Sequence, residues 1–305
     1  MPNQPINQST YPIDLQTHST RSDGTETPAE LVAHAARLGI RVMALTDHDS
    51  VLGVDEALAA GAAHGVRVIP ALEYSTTSAP DQDFLDINIL GYGIRHNDPD
   101  LQAMLQKVID SRVNQKIEQI EKLQSYGFDI PVQDVLDLAG GVPGRPHMAR
   151  ILMERNPGRF ADISQVFREY LAADAENSTY VTRTFSLSVE ETIEVTHRAG
   201  GVAVLAHPGL YDRVQDVDDV VRRLKAAGLD GLEIWYPYRH SRGLTHLTPT
   251  EEQALIRHFS DLADELGLLK TGGSDYHGAT KPLIHLGMAG LDEAQWAALG
   301  WEIEN

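Results

Sequence analysis

Short apolar runs alternate with helical stretches along most of this chain, and nearly every run ends in a polar segment carrying His, Asp or Glu. Such alternation demands an α/β fold around a largely parallel sheet, because strands buried on both faces must be covered by the helices that connect them. Residues 12–15 begin a strand, and 27–38 form a helix with Thr27 as N-cap, Pro28 in its first turn and Gly39 just past its end. Strands are expected at 40–46, 66–72 and 84–90, with a helix at 54–64 closed by Gly65. The rhythm breaks at 98–183, where the pattern is helical throughout. A long amphipathic helix covers 98–126, and shorter ones follow at 132–139, 146–154 and 163–172. Alternation returns with helices at 189–199, 217–227 and 249–266 and strands at 202–206, 231–235 and 268–272. The expected organisation is an α/β core made of residues 1–97 and 184–305, interrupted by a helical subdomain at 98–183 that contributes to a substrate cleft.

Composition removes several alternatives. With 42% hydrophobic and 23% charged residues the chain is too apolar to be disordered. No apolar run approaches the roughly 18–20 residues that span a bilayer, and the polar, Pro/Asn/Gln-rich start reads as a short loose tail without the marks of a signal peptide. Cysteine is absent, which excludes disulfides and thiolate metal sites and leaves a cytoplasmic home as the default expectation. A net charge of -19 argues against a broad basic surface for duplex nucleic acid. It permits a small phosphorylated substrate, since bound cations reverse the local potential.

The chemistry gathers where the strands end. The first strand leads into Gln16-Thr17-His18 and then Ser22-Asp23-Gly24; the second into Asp47-His48-Asp49; the third into Glu73. The fourth carries Asn88, the fifth runs into His207-Pro208, the sixth contains Glu233 and the last delivers Asp275-Tyr276-His277. In a parallel barrel these points share one rim, where such enzymes keep their sites. Singly, each suits a cap or polar turn as well as a ligand. Jointly, imidazoles and carboxylates aimed at one place suit two or three divalent ions such as zinc, manganese or iron, which bind phosphate and generate hydroxide near neutral pH.

The segments DLQTHSTRSDG, ALTDHDS, the one around Glu73, INILGY, VLAHPG and TGGSDYHG resemble, in order, the motifs of the PHP (polymerase and histidinol phosphatase) family. The spacing and the helical insertion resemble its branch of 3',5'-nucleoside bisphosphate phosphatases and 5'→3' exoribonucleases. The resemblance implies a distorted (β/α)7 TIM-like barrel and hydrolysis of a phosphomonoester by hydroxide formed on the ions. The substrate it implies is a nucleoside bisphosphate or the 5' end of a short RNA. It implies further that His18, Glu73 and Asp275 hold one ion, that Asp23, His48 and His277 hold a second, and that His207 with Glu73 serves a third. His18, His48, His207 and His277 are thus the imidazoles expected to carry catalysis. Gln16 and Asn88 stand where the family pattern has His, so fewer ions, or different ones, are an alternative.

For the substrate, Gly144-Arg145-Pro146-His147 resembles a family segment whose Arg and His face the phosphate, and guanidinium suits forked phosphate binding. Arg112 and Lys116 share one helix face, which suits either the cleft or plain solvation. His34, His64, His197 and His258 sit within helices as surface or packing residues, whereas His240 and His246 lie in an irregular stretch that can reach the cleft mouth. Two alternatives accompany the main expectation: a histidinol-phosphate-type phosphatase, and a nucleotide-binding protein whose catalysis is impaired.

Overall fold

The computed structural model describes residues 11–241 and 243–301, so nearly all of the expected N-terminal tail lies outside the described residues. Seven strands form one sheet in sequence order: β1 (Ile13–Thr17), β2 (Val42–Leu45), β3 (Arg67–Ser75), β4 (Asn88–Tyr92), β5 (Val202–Leu205), β6 (Gly231–Trp235) and β7 (Leu269–Gly272). The sheet curls into a nearly closed barrel. Its last seam is made by the segment after β7, where His18 N–H donates to Tyr276 O at 2.9 Å and Asp275 N–H to Gln16 O at 2.8 Å. Ten α-helices accompany it among the described residues: α1 (Pro28–Leu38), α2 (Val54–His64), α3 (Pro99–Ser125), α4 (Val132–Ala139), α5 (Arg145–Arg155), α6 (Ile163–Val166), α7 (Val189–Arg198), α8 (Val217–Ala226), α9 (Pro249–Leu266) and α10 (Glu293–Leu299). None of the described helices is long and apolar enough to cross a membrane.

Helix ends follow local chemistry. Thr27 closes a capping box with Glu30 at the start of α1, and Gly39 turns the chain out through a left-handed conformation. Alternate strand residues divide the core. Ile13, Leu15, Val42, Ala44, Ile69, Ala71, Leu90, Tyr92 and Val204 fill the barrel, and Trp296 and Trp301 pack against this cluster. The opposite strand faces meet the helices, as where Met43, Leu45 and Val68 pack under α1 and α2.

The sequence pattern suggested a parallel sheet, and one strand departs from it. β4 runs antiparallel to both β3 and β5, with Ser75 opposite Asn88. Its apolar approach, including Phe84 and Ile87, is buried without being strand. Reversal places Asn88 at the start of β4 and beside the end of β3, so it still reaches the common rim. In β1 the register shifts between Asp14 and Thr17, and the extra residue breaks the strict alternation. Gln16 and His18 thereby turn to the side occupied by Glu73.

Residues 98–183 contain no strand among those described. α3 joins two cores: Leu101, Leu105 and Val108 pack against the barrel, whereas Ile120 and Leu123 join Phe128, Val135, Met148, Leu152 and Val166 in a separate cluster. At the start of α5, Gly144 N–H donates to His147 Nδ1 at 3.0 Å, and the ring is buried.

Two predictions follow from this packing. A Cβ on Gly273 would lie 2.3 Å from the backbone nitrogen of Gln16. Gly273→Ala must therefore push β7 from β1 and lower unfolding stability by about 1–3 kcal/mol or more in urea titrations. Burial holds His147 down at about 4, against 6.5 for a free imidazole. The unfolded chain thus takes up a proton between those values that the folded chain refuses, and stability falls as pH drops from 6.5 towards 4. This ring contributes up to about 3 kcal/mol to that loss, and His147→Gln should make the measured slope shallower.

Candidate metal centre

Each strand end delivers its side chain through a specific brace. After β1 the loop carrying Asp23 is pinned by Asp47, which accepts from Ser19 N–H at 2.7 Å, Ser19 Oγ at 2.6 Å and Ser22 Oγ at 2.7 Å. Gly24 lets that loop fold back, since a Cβ there would sit 2.2 Å from His18 O. After β7, buried Asp14 accepts from Ser274 N–H at 2.8 Å and Gly287 N–H at 2.9 Å. Glu233 accepts from His207 N–H at 2.9 Å. Asp49, His207 and Asp275 take left-handed backbone angles, with φ of 51°, 28° and 55°. Such conformations cost roughly 1–3 kcal/mol each outside glycine and persist where their surroundings fix them.

These braces bring the expected ligands together. His18 Nε2 lies 3.3 Å from both Glu73 Oε2 and Asp275 Oδ1. His48 Nδ1 is 3.1 Å from Glu73 Oε2, His207 Nε2 is 3.1 Å from Glu73 Oε1, and His277 Nε2 is 3.2 Å from Asp23 Oδ1. The rings of His18 and His277 stack with centroids 4.0 Å apart. Among the described residues, two groups have ligand atoms within 4.8 Å of one another: His18, Asp23, His48 and His277; and His18, Glu73 and Asp275. His18 belongs to both. His240 and His246 belong to neither, and His64, His197 and His258 are exposed on helices, with half-buried His34 paired to Glu26.

The donor set fits metal ions. His18 Nδ1 and Nε2, His48 Nδ1, His207 Nδ1 and Asp23 Oδ1 are buried without a hydrogen-bond partner, although buried polar groups are rarely left so. His277 Nδ1 is bonded to Asp275 O at 2.8 Å, which leaves Nε2 facing the cage as second partners of metal-binding imidazoles do. Burial alone would raise the carboxyl groups. Facing imidazoles nevertheless hold Asp23 and Glu73 well below the usual range, and Lys281, His277 and His18 do the same for Asp275. Burial disfavours charge on His18, yet Asp275 and Glu73 lift it to about 10. A field strong enough to keep a proton there is a field that attracts cations.

A basic cluster borders the cage. Arg112 Nη1 pairs with Asp49 Oδ2, its Nε donates to Pro143 O at 3.1 Å, and Arg183 reaches the same Asp49 oxygen at 3.4 Å. Lys116 is only 5% exposed, so the Arg112–Lys116 face of α3 is not a solvated helix face. Burial lowers the Lys116 ammonium well below its ordinary value, and Arg112, Arg145 and Arg183 lower it further. Arg145 stands over Phe167, 6.0 Å from the ring centre.

Sequence patterns missed Arg183, the brace roles of Asp14, Asp47 and Asp49, and the pair that closes on Asp275. Tyr236 OH donates to Asp275 Oδ2 at 2.7 Å, and Lys281 Nζ pairs with the same oxygen. Only the Asp residues carried a signal, Asp47 and Asp49 by flanking His48 and Asp14 by opening the segment that ends in His18.

Comparison with known proteins agrees with this geometry. Residues 14–182 match the PHP domain model. The chain is 32% identical over 269 residues to a 5'-3' exoribonuclease of Haemophilus influenzae, covering 88% of this chain and 90% of the relative. It is 31% identical to a 3',5'-nucleoside bisphosphate phosphatase of Chromobacterium violaceum, covering 87% of each. It is also 29% identical to a phosphoribosyl 1,2-cyclic phosphate 1,2-diphosphodiesterase of Eggerthella lenta, covering 90% of this chain and 97% of the relative. Among solved structures, a protein of Bifidobacterium adolescentis assigned as a metal-dependent phosphoesterase superposes with a TM-score of 0.79 at 29% identity, covering 94% of each chain. A rim of imidazoles and buried carboxylates on a seven-stranded barrel, with these relatives, places the chain in the PHP domain family as a metal-dependent phosphoesterase.

Proposed function

We propose that the chain hydrolyses a phosphomonoester of a nucleotide, either a nucleoside 3',5'-bisphosphate or the 5' end of a short RNA. The observation that carries this is the cage of unpartnered imidazole nitrogens and buried carboxylates lying beside a basic cluster. The names of the H. influenzae and C. violaceum relatives support the nucleotide class. His18, Glu73 and Asp275 are assigned to one ion, Asp23, His48 and His277 to a second, and His207 with Glu73 to a third. When bound, the ions polarise the phosphoryl oxygens and supply a hydroxide nucleophile near neutral pH.

The remaining work falls to the chain itself. Arg145, Arg112 and His147 are assigned to the substrate phosphate, with the helical residues 98–183 forming one wall of the cleft. Guanidinium suits the task because it stays charged and offers forked donors. Arg112 and Arg183 share Asp49, so an arriving phosphate competes with a carboxylate for them, and the cluster keeps its shape meanwhile. Glu73 orders three imidazoles at once, which aligns His18, His48 and His207 before any substrate arrives.

The test is phosphate release from adenosine 3',5'-bisphosphate, a 5'-phosphorylated RNA oligonucleotide and histidinol phosphate, with manganese, zinc or iron added to chelator-stripped protein. Ion-dependent turnover of the first two is expected, with EDTA abolishing it. Preference for histidinol phosphate, or no release with any ion, overturns the proposal. Asp23→Asn and His277→Asn should each cost at least about 100-fold, since outer partners of metal ligands alone are worth about 10–100-fold. Arg145→Met should raise KM about tenfold or more with a smaller change in kcat, the scale of one charge-assisted hydrogen bond.

A further inference from the structure

Two side chains from outside the expected ligand sets converge on Asp275, and both meet the same oxygen. Tyr236 OH donates to Asp275 Oδ2 at 2.7 Å, and the Lys281 ammonium pairs with that oxygen too. Ser241 Oγ donates to the phenol oxygen at 3.3 Å, so the phenol's own proton is free for the carboxylate, and an ammonium can only donate. Asp275 Oδ1 serves the cage instead, 3.3 Å from His18 Nε2 and 3.4 Å from His277 Nδ1. A carboxylate oxygen offers two lone-pair sites, so phenol and ammonium together occupy Oδ2. Both donors are firmly placed. Tyr236 is buried just past β6, and Lys281 ends a turn in which Ala279 N–H donates to Thr25 Oγ1 and Thr280 Oγ1 to Asp23 O, each at 3.0 Å. The turn that carries Lys281 is thus fastened to the loop that carries Asp23.

Resting on the reading that this cage holds divalent ions, we propose that Tyr236 and Lys281 are positioning residues. They confine Asp275 to binding through Oδ1 alone, so that a coordination place stays free for the substrate. An unrestrained carboxylate grips an ion with one oxygen or with both. The second oxygen would take a place that water or a phosphoryl oxygen needs, and hydrolytic metal sites depend on such an open position. Lys281 has a further effect. Its fixed positive charge at the cage edge opposes divalent cations, so the lysine loosens their hold while it keeps the site open. Most outer partners of metal ligands strengthen binding; this pair limits it.

The experiment is equilibrium dialysis of chelator-stripped full-length protein against MnCl2, with turnover of adenosine 3',5'-bisphosphate measured beside it and circular dichroism to confirm folding. Lys281→Met should tighten manganese binding about tenfold. Its kcat should nevertheless fall about 10–100-fold, the scale of a lost outer partner. Lys281→Arg keeps the charge and the donors and should recover most of that kcat. Tyr236→Phe keeps the ring, frees one site on Oδ2, and should lower kcat without weakening manganese binding. The Lys281 side chain is 38% exposed, so its variants keep the test open even if Tyr236→Phe does not fold. A merely structural support loses binding and turnover together. Weaker manganese binding in step with lost turnover therefore overturns the proposal, as do unchanged values in the folded variants. If the unaltered chain retains no manganese, the reading of the cage fails and this inference with it. If it binds manganese but leaves the bisphosphate intact, the proposed substrate fails and the change in manganese affinity decides this inference alone.

Discussion

Three carboxylates withdrawn from water into one barrel mouth govern this molecule. Asp23 gathers with His18, His48 and His277, and Glu73 and Asp275 gather with the same His18, the ligand atoms of each group lying within 4.8 Å of one another, and Glu73 is 1% exposed. Burying charge is costly unless it is matched by opposite charge or by directed hydrogen bonds. The chain matches it with His18, His48, His207, His277 and Lys281, and even so several nitrogens remain without partners. The imbalance is the feature on which function depends, because what completes it is a cation.

Holding such an arrangement together requires a rigid support, and other buried acids provide it. Asp47 and Asp14 accept from hydroxyl and backbone donors in neighbouring loops, so their charge is spent on fixing the rim. Asp49 accepts from Ser75 N–H and pairs with Arg112, which links the cage to the long helix α3. The positive φ angles of Asp49, His207 and Asp275 fit the same scheme. Each lies just past a strand, and its N–H is held by a remote acceptor, Asp49 by Glu73 O, Asp275 by Gln16 O and His207 by Glu233. The outer layer of acids fixes where the inner layer stands.

Much of this was legible beforehand. The ends of α1 follow from Thr27, Pro28, Glu30 and Gly39, because capping is satisfied within a few residues. Alternation of apolar runs and helices pointed to an α/β fold, since segments buried on both faces must be covered by helices, whereas the barrel was implied by the resemblance of the rim motifs. The groups around His18, Asp23, His48, Glu73, His207, Asp275 and His277 were visible because parallel strands of one sheet end at a common rim.

What the sequence could not carry is whatever depends on distant pairing. The direction of β4 rests on its hydrogen bonds with β3 and β5, and Phe84 and Ile87 looked like strand because apolarity reports burial, not backbone conformation. Adjacent Asp47 and His48 are equivalent on paper, yet one braces a loop while the other faces Glu73. Lys116 could have been solvated, and packing buried it. By itself the sequence determined which chemical groups exist and, through periodicity, which rim they share. Only the tertiary structure decided which way each group points, because orientation is set by a register shift, a neighbouring donor or a positive φ that arises when remote segments meet.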